Sequence, residues 1–324
     1  MKNNVFHPLS QNAILHSWRK QCLAQPGKAA FADGHDARIF DACKMLLEER
    51  SLAEALVLLP ETHKHMIDHP PIVSLLDRWS SQLKVEIFTA LEGQTPLQKA
   101  AERLQRGAVD SVLAGNVSTT AEVIRAAIRG VGLRSSCRTV SGSFMMVSPQ
   151  DQVLLFADAG VVIEPTVQQL VEIASSSVDT WRALVPQIPP RVAFLSFSTK
   201  GSAVHPHAEK IRQAADIFKQ RFPDVVSDGE LQFDAAYVPE VARTKCPESP
   251  LKGEANCLVF PDLQAGNIGY KLVQRLGGYA AYGPILQGLA KPYSDLSRGA
   301  SVADIVSSTY INQVRAGLGL GGRS

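Results

Sequence analysis

The densest group of residues able to do chemistry lies in one segment near the C-terminus. After an apolar stretch the chain carries Lys291, then Ser297, Arg298 and Gly299 in a polar loop, and a helical pattern opens near Ser301. Such a loop supplies cations, a hydroxyl and flexible backbone just ahead of a helix N-terminus, where α/β proteins commonly bind anions. The segment therefore predicts an anion site.

Asp304, three residues beyond Ser301, has two interpretations. Ser301 and Asp304 have the spacing of a capping box, in which the two side chains satisfy main-chain amides at the start of a helix. Spacing alone favours the cap, because capping boxes are far commoner than catalytic aspartates. In the alternative, Arg298 binds an anion, Ser297 donates a hydrogen bond and Asp304 accepts a proton as a general base. The two interpretations are not exclusive, since a capping carboxylate can also face a ligand.

Strands and helices alternate along the chain and must position this loop. Apolar runs predict buried strands, and apolar residues at i, i+3 and i+4 predict the helices between them. The predicted strands include 28–33, 55–59, 109–114, 192–197 and 284–289, a hairpin joins 140–147 to 153–157, and one helix covers 233–244. This alternation is typical of a mixed α/β protein with a parallel sheet.

A second polar loop follows the strand at 109–114. Residues 115–120 lead into a helix predicted from about Ala121 to Arg129, and Thr119 and Glu122 have capping-box spacing. The N-terminus of this helix is therefore expected at the C-terminal end of a strand. The side chain of Arg125 can reach back over that end.

Composition and charge exclude several classes of protein. The 324 residues carry a formal net charge of +2, which argues against a protein defined by nucleic-acid binding. Five scattered cysteines show no Cys-x-x-Cys spacing, so neither disulfides nor a metal site is predicted. Neither a transmembrane run nor a secretory signal is evident, which favours a cytoplasmic protein without membrane contact. Ile14, Leu15, Trp18 and Leu23 predict a short N-terminal amphipathic helix, either a domain cap or a docking tag.

Several segments together resemble the phosphate acetyltransferases, or phosphotransacetylases. The clearest is Gly-Leu-Ala-Lys-Pro-x-x-Asp-Leu-Ser-Arg-Gly at residues 288–299, and others lie at 195–203, 228–242 and 255–271. The resemblance spans residues 108–315 in order, and the 114–121 segment is most similar to the short enzymes of ethanolamine utilisation. It implies the reaction acetyl-CoA + phosphate ⇌ acetyl phosphate + CoA, in a homodimer.

The resemblance also implies a fold and a domain division. The expected architecture is a two-domain α/β fold of the isocitrate/isopropylmalate dehydrogenase-like kind, with an interdomain active-site cleft. Residues 1–134 with 284–324 would form the domain that carries the catalytic loop, and residues 135–283 would form the other domain.

By motif, the resemblance carries over catalytic roles to Asp304, Ser297 and Arg298. It implies substrate binding by a further set of residues: Arg125, Ser118, Thr120, Lys291 and Asn267. For Asn267 a helix cap is the competing interpretation. Acetyl-CoA and phosphate enter as substrates, with neither a metal nor a tightly bound cofactor implied.

The chain departs from the family pattern at two places. Ala300 stands where the family often has cysteine, so a reactive thiol there is not required. The region between Leu59 and Gly107 is shorter than in longer relatives, and only Arg103 and Arg106 are candidates for a second coenzyme-A-binding arginine.

Three other functions compete with acetyl transfer. Phosphate butyryl transfer shares the mechanism, and a non-catalytic acetyl-CoA-sensing module is known from domains appended to malic enzymes. A nicotinamide-dependent dehydrogenase lacks support, because neither a Gly-x-Gly-x-x-Gly motif nor a metal-binding aspartate cluster is evident. Residence in a bacterial microcompartment, with contact through the N-terminus, is a further hypothesis.

Overall fold

The computed structural model describes residues 12–89 and 94–317. The chain folds into two compact units, one formed by Met1–Gly132 with Lys291–Ser324 and the other by Leu133–Ala290. The sequence placed the second boundary at residue 284. The strand that begins at Ala280 instead remains with the second unit, because it is hydrogen-bonded to a strand of that unit's sheet.

The first unit is built on a sheet of five parallel strands. In chain order these are β1 (Gly27–Phe31), β2 (Leu52–Pro60), β3 (Leu83–Phe88), β4 (Ser111–Ala114) and β11 (Tyr293–Asp295). Their spatial order is β11-β4-β1-β2-β3, and every neighbouring pair is parallel. A parallel sheet is covered on both faces, which explains why its strands are apolar runs such as Ala-Leu-Val-Leu-Leu in β2.

In the part of this unit that the structure describes, six α-helices and one 3₁₀ helix accompany the sheet. They are α1 (Ala13–Ala24), α2 (Ala37–Glu48), α3 (Pro70–Arg78), α4 (Pro96–Gln105), α5 (Thr120–Gly130) and α11 (Val302–Gly317), with a 3₁₀ helix at Glu61–Asp68. Leu15, Trp18 and Cys22 of α1 are buried, and α1 packs on α11. The apolar face of the N-terminal helix is thus buried against the rest of the first unit, as the domain-cap interpretation requires. The first eleven residues, where a tag could also lie, are outside the described residues.

The second unit contains a mixed sheet of six strands. These are β5 (Ser141–Val147), β6 (Val153–Ala157), β7 (Arg191–Leu195), β8 (Val226–Leu231), β9 (Cys257–Val259) and β10 (Ala280–Gln287), in the spatial order β10-β5-β6-β9-β7-β8. The pairs β10–β5 and β5–β6 are antiparallel and the others parallel. The predicted hairpin is confirmed as β5–β6.

The helices of the second unit are α6 (Val167–Leu184), α7 (Pro206–Arg221), α8 (Phe233–Tyr237), α9 (Pro239–Lys245) and α10 (Leu263–Gly277). The single helix predicted over 233–244 was wrong: Val238 adopts an extended conformation and Pro239 opens a new helix. Proline disfavours the helical conformation in the residue before it, which accounts for the break. Among the described residues, no helix is both long and apolar enough to cross a membrane.

Candidate active site

Three loops of the first unit leave the same edge of its sheet. They follow the C-terminal ends of β1, β4 and β11, which are adjacent strands, and they lead into α2, α5 and α11. Helix N-termini carry unpaired amides and partial positive charge, and crevices beyond the carboxyl ends of parallel strands are where α/β proteins bind ligands. This edge therefore favours an anionic ligand.

The β11–α11 loop presents Ser297 and Arg298 to solvent. Both residues are exposed, and the loop turns because Ala300 N–H donates to the carbonyl oxygen of Ser297 at 2.8 Å. The Ser297 hydroxyl accepts from the N–H of Gly299 at 3.2 Å, which leaves its own hydrogen available to a ligand. Within the described residues, the Arg298 guanidinium takes part in no hydrogen bond or ion pair. The loop thus offers a hydroxyl donor and a free cation.

Asp304 forms the capping box that its spacing predicted. Its Oδ2 accepts from the N–H and the hydroxyl of Ser301, both at 2.8 Å, and Ser301 Oγ accepts from Asp304 N–H at 3.2 Å. Asp304 is half-buried, and across the described part of the chain no donor engages its Oδ1. One carboxylate oxygen is committed to the helix start while the other is available for proton transfer.

Arg38, in the first turn of α2, ties two of the loops together. Its guanidinium donates to the main-chain carbonyl oxygens of Arg298 (3.2 Å) and Ala300 in the β11–α11 loop, and to that of Asn116 (3.3 Å) in the β4–α5 loop. Asp36, the N-cap of α2, forms an ion pair with the same guanidinium. This pair raises the pKa of Arg38, so the cation stays charged while it holds the loops.

Asp33, two residues beyond β1, organises the β4–α5 loop. It is buried, and its Oδ2 accepts from the N–H groups of Gly115 (2.8 Å) and Val117 (3.3 Å). The Ser118 hydroxyl donates to its Oδ1 at 2.6 Å. Ser118 was predicted to bind substrate. Because its hydroxyl hydrogen is donated to Asp33, Ser118 can only accept a hydrogen bond from a ligand.

Asp295, the last residue of β11, contacts the start of α5. It is only 3% exposed, and its strand packs against α5. Burial raises the pKa of Asp295 to about 6, and the charge of Asp33 contributes to the increase. Its Oδ1 has no hydrogen-bond partner among the described residues. A side chain at Gly115 would place its Cβ 2.3 Å from that oxygen, so only glycine fits there.

The structure brings Ser297, Arg298, Asp304, Ser118 and Thr120 to one edge of the sheet. Arg125 lies on the exposed side of α5, about one turn beyond its first residue.

Lys291 and Asn267 do not join that group. The Lys291 ammonium donates to the carbonyl oxygens of Leu104 (2.7 Å) and Gln105 (3.2 Å) at the end of α4, by the N-terminal end of β11. Lys291 is thus at the opposite edge of the sheet. Asn267 belongs to α10 in the second unit, and its amide donates to Ala159 O at 3.2 Å.

The expectation that Asn267 caps a helix was also wrong. Helix α10 starts five residues earlier than predicted, and Asp262 is its N-cap, accepting from Ala265 N–H at 2.8 Å.

The two arginines proposed as a second coenzyme A contact are both paired. Arg103 binds Glu86 through two nitrogens, with its closest contact at 2.8 Å, and Arg106 pairs with Glu102 at 2.7 Å. The five cysteines are free and buried, and burial raises the pKa of Cys22 to about 12. No cluster of potential metal ligands occurs among the described residues.

Sequence reasoning missed Asp33, Arg38, Asn116 and Asp295. Asp33 carried a usable signal, because it ends the apolar run at 28–33, and polar residues at the end of a buried strand can reach a ligand edge. Asp295 gave none, since the strand that it ends has little apolar signal. Arg38 gave none, since its role depends on loops more than seventy residues away in the chain.

Comparison with known proteins gives a consistent result. The model of the phosphate acetyl/butaryl transferase family matches residues 13–312. The chain is 41% identical over 296 residues to a phosphate acetyltransferase of Paracoccus denitrificans, a match covering 87% of this chain and 93% of that protein. Two solved structures are similar over 94% of this chain and 98% of theirs: the EutD phosphotransacetylase from Staphylococcus aureus (TM-score 0.81, 30% identity) and a phosphotransacetylase from Streptococcus pyogenes (TM-score 0.82, 34% identity).

Proposed function

The chain belongs to the phosphate acetyl/butaryl transferase family and exchanges an acetyl group between coenzyme A and phosphate; we propose that the β4–α5 and β11–α11 loops carry out this reaction. The observation that carries the proposal is the convergence of Ser297, Arg298 and Asp304 with two helix N-termini at one sheet edge. Both substrates would be bound together, and the acetyl group would pass directly between them.

Arg298 and the N-termini of α5 and α11 would hold the phosphate group. A free guanidinium matches a phosphate bidentately, and helix amides favour negative charge. Arg125, exposed on α5, would supply a second cation for phosphate or for the coenzyme. Thr120, at the first position of α5, lies where its hydroxyl can reach the same anion.

Asp304 would act as the general base in the direction that consumes acetyl phosphate. A free thiol has a pKa of about 8.5, so a carboxylate that takes its proton increases the fraction of thiolate. The thiolate attacks the acetyl carbonyl carbon, a C–S bond forms, the C–O bond to phosphate breaks, and the proton remains on Oδ1 of Asp304. Oδ2 keeps its two bonds from Ser301 throughout, so the base does not move.

Ser297 would stabilise the oxyanion that develops on the acetyl oxygen. Its hydrogen is not used within the loop, and donors placed before reaction are the most effective stabilisers of developing charge.

The test is phosphate-dependent release of coenzyme A from acetyl-CoA, measured for the wild type, Arg298→Ala and Arg129→Ala. Arg129 is exposed in the last turn of the same helix, α5, and serves as the matched control. We expect Arg298→Ala to lower kcat/KM for phosphate by roughly 10²-fold or more, the scale seen on losing a transition-state donor. Arg129→Ala should behave as wild type. Equal activity of the two variants would contradict the phosphate role of Arg298.

The rates with an acetyl and a butyryl substrate should be compared directly, because the description of the matched family includes both acyl groups. We propose acetyl as the preferred group. Initial rates with acetyl-CoA and butyryl-CoA decide this, and equal kcat/KM for the two would contradict the preference. Absence of turnover with either, despite acetyl-CoA binding, would favour the acetyl-CoA-sensing module.

A homodimer is the proposed assembly, with α10 as its contact surface. This helix exposes Ile268, Leu272 and Leu276 at four-residue intervals, and Leu276 is 83% exposed. Apolar side chains on one stripe of a helix favour a second copy over solvent. Light scattering should find two copies in the wild type and one in Leu272→Glu, while Val204→Glu, at an exposed position on a loop, should remain dimeric. A monomeric wild type would contradict the proposal.

The remaining sequence expectations stay predictions: the dehydrogenase-like arrangement with an interdomain cleft, cytoplasmic location, ethanolamine utilisation and microcompartment residence.

A further inference from the structure

Three histidines, His35, His63 and His65, form a stack of rings that the proposed reaction does not use. The ring centroids of His35 and His63 are 4.8 Å apart with their planes tilted by 38°, and those of His63 and His65 are 6.2 Å apart with a tilt of 32°. His35 lies in the loop after β1, and the other two lie on the 3₁₀ helix after β2. This histidine stack is therefore at the same edge of the sheet as the proposed active site.

Neither core packing nor metal binding accounts for the histidine stack. No residue of the 3₁₀ helix is buried, so His63 and His65 are not part of the core. The described residues contain no group of possible metal ligands, and the rings are roughly parallel, whereas metal ligands turn their ring nitrogens toward a common point. What the stack presents is a flat ring, His65, that is exposed at its outer end.

Two hydrogen bonds hold the histidine stack in position. The N–H of Gly34 donates to the carbonyl oxygen of Leu58 in β2 at 3.1 Å, which brings the neighbouring His35 close to the 3₁₀ helix. The Thr62 hydroxyl is hydrogen-bonded to Nδ1 of His63 at 3.0 Å, and this contact orients the ring. A ligand would thus meet an arranged surface, so less conformational entropy is lost when it binds.

The carboxyl edge of this sheet extends away from the proposed catalytic loop in one direction. Strand β11 is the outermost strand on its side, and the edge continues through β4 and β1 to β2 and β3. Neighbouring strands are about 4.8 Å apart, so the three spacings from β11 to β2 give roughly 14 Å. Coenzyme A is a long molecule with a thiol at one end and an adenosine nucleotide at the other. With its thiol at Asp304, it can extend within this unit along the edge to the histidine stack.

We infer that the histidine stack and Lys64 bind the nucleotide end of coenzyme A, with the adenine ring on His65 and a phosphate group at Lys64. The inference rests on the proposed function, which places the thiol at the β11–α11 loop. Purines have a wide flat face that stacks on side-chain rings. Lys64 is exposed, no carboxylate of the described residues pairs with it, and an ammonium binds phosphate as a point charge. Arg103 and Arg106, in contrast, are both paired with carboxylates.

The test is binding of adenosine 3′,5′-bisphosphate, the nucleotide part of coenzyme A without its thiol arm, measured by calorimetry. His65→Ala should raise the Kd roughly 5- to 100-fold, the range that a base-stacking side chain contributes, and His63→Ala, which removes the adjacent ring, should weaken binding too. His65→Phe keeps a flat ring and should bind close to wild type. Lys64→Ala should also bind more weakly, by a factor that shrinks as ionic strength rises. His16→Ala and Lys44→Ala, at exposed positions on α1 and α2, are the matched controls and should bind as the wild type does.

Kinetics with two thiols test the same assignment during turnover. In His65→Ala the KM for coenzyme A should rise by a similar factor with kcat unchanged, because the nucleotide end is bound equally in the ground and transition states. Pantetheine, the thiol arm without the nucleotide, should react in this variant as it does in the wild type. A general structural defect would instead lower turnover with both thiols.

Wild-type affinity for the bisphosphate in both His63→Ala and His65→Ala would overturn the inference. An equal rise in KM for coenzyme A and pantetheine would do the same, as would a wild-type protein that does not bind the bisphosphate. Because the calorimetry needs no turnover, an inactive protein with the expected pattern of Kd values would count against the proposed function alone. Circular dichroism would establish that the variants are folded.

Discussion

Arg38 donates a hydrogen bond to the main-chain carbonyl oxygen of Ala300, a residue 262 positions further along the chain. The same guanidinium reaches the carbonyl oxygens of Arg298 and Asn116, so one side chain fixes the relative position of the two loops proposed to form the active site. This explains how an exposed loop can hold Ser297 and Arg298 in a fixed geometry.

Replacing Arg38 with lysine should lower activity while leaving charge unchanged. A lysine ammonium is a point donor and cannot span the carbonyls that the planar guanidinium joins. We expect kcat/KM for acetyl transfer to fall roughly 10–100-fold, since displacements near 1 Å can cost that much. Arg78→Lys, in an exposed pair with Glu48, is the control and should be unaffected. Wild-type kinetics in Arg38→Lys would show that the two loops do not need these hydrogen bonds to keep their relative position.

Asp304 and Ser301 allow the cap and the base to be tested separately. Asp304→Asn keeps an oxygen acceptor for Ser301 but cannot take a proton, so kcat should fall roughly 10²–10⁴-fold with little loss of stability. Ser301→Ala breaks the cap, which should lower the unfolding free energy by about 1 kcal/mol and leave most activity. Chemical denaturation and initial rates measure both effects. The reverse pattern, with Ser301→Ala the less active variant, would assign Asp304 to the cap alone.

Gly115 should be far less tolerant of alanine than Gly107, although both have positive φ. At Gly115 a Cβ would lie 2.3 Å from Asp295 Oδ1 and 2.5 Å from Leu296 O, whereas at Gly107 nothing lies within 4 Å. Gly107→Ala should cost about 1–2 kcal/mol, the left-handed penalty alone. Gly115→Ala adds about 1–3 kcal/mol of overpacking and displaces the loop, so it should also lose activity. Equal unfolding free energies would contradict the close packing.

Asp295→Asn should stabilise the protein at neutral pH. The pKa of Asp295 is raised from 3.8 to about 6 in the folded state, so the folded state binds more protons than the unfolded state between these values. The wild type therefore loses stability as pH rises through this window, and the variant does not. The difference in unfolding free energy should grow from pH 4 to about 7, toward roughly 2–3 kcal/mol in favour of asparagine. A pH-independent difference would mean that Asp295 titrates normally.

The alternation of strands and helices was predictable because it depends on local apolar periodicity. Strands such as β2 and helices such as α5 were found within a few residues. Strands β8 and β11 were missed, since Val-Ser-Asp-Gly-Glu-Leu and Tyr-Ser-Asp contain little apolar signal. They are strands because of their neighbours in the sheet, and single-sequence periodicity does not contain that information.

Within the candidate site, motif resemblance gave the residues proposed to face a ligand, but not those that hold their loops in place. Ser297, Arg298 and Asp304 lie in one short segment, whereas Arg38 and Asp33 act on loops far away in sequence. Lys291 was predicted to share a site with Ser297, to which it is close in sequence, but its ammonium lies at the opposite edge of the sheet. Between them lies β11, whose three residues carry the chain from one edge of the sheet to the other.

The first unit is assembled from two separate stretches of chain, and this has a consequence for biosynthesis. Strand β11 and helix α11 leave the ribosome only after the whole of the second unit, although they complete the sheet begun by β1 and β4. During translation, β4 has no neighbouring strand on one side until β11 is synthesised. The second unit, in contrast, is a continuous segment that can fold as it emerges. Of the three loops that follow β1, β4 and β11, the loop carrying Ser297 and Arg298 is thus the last to be synthesised. A nascent chain therefore acquires this outer strand of the sheet and the proposed catalytic loop in the same late step.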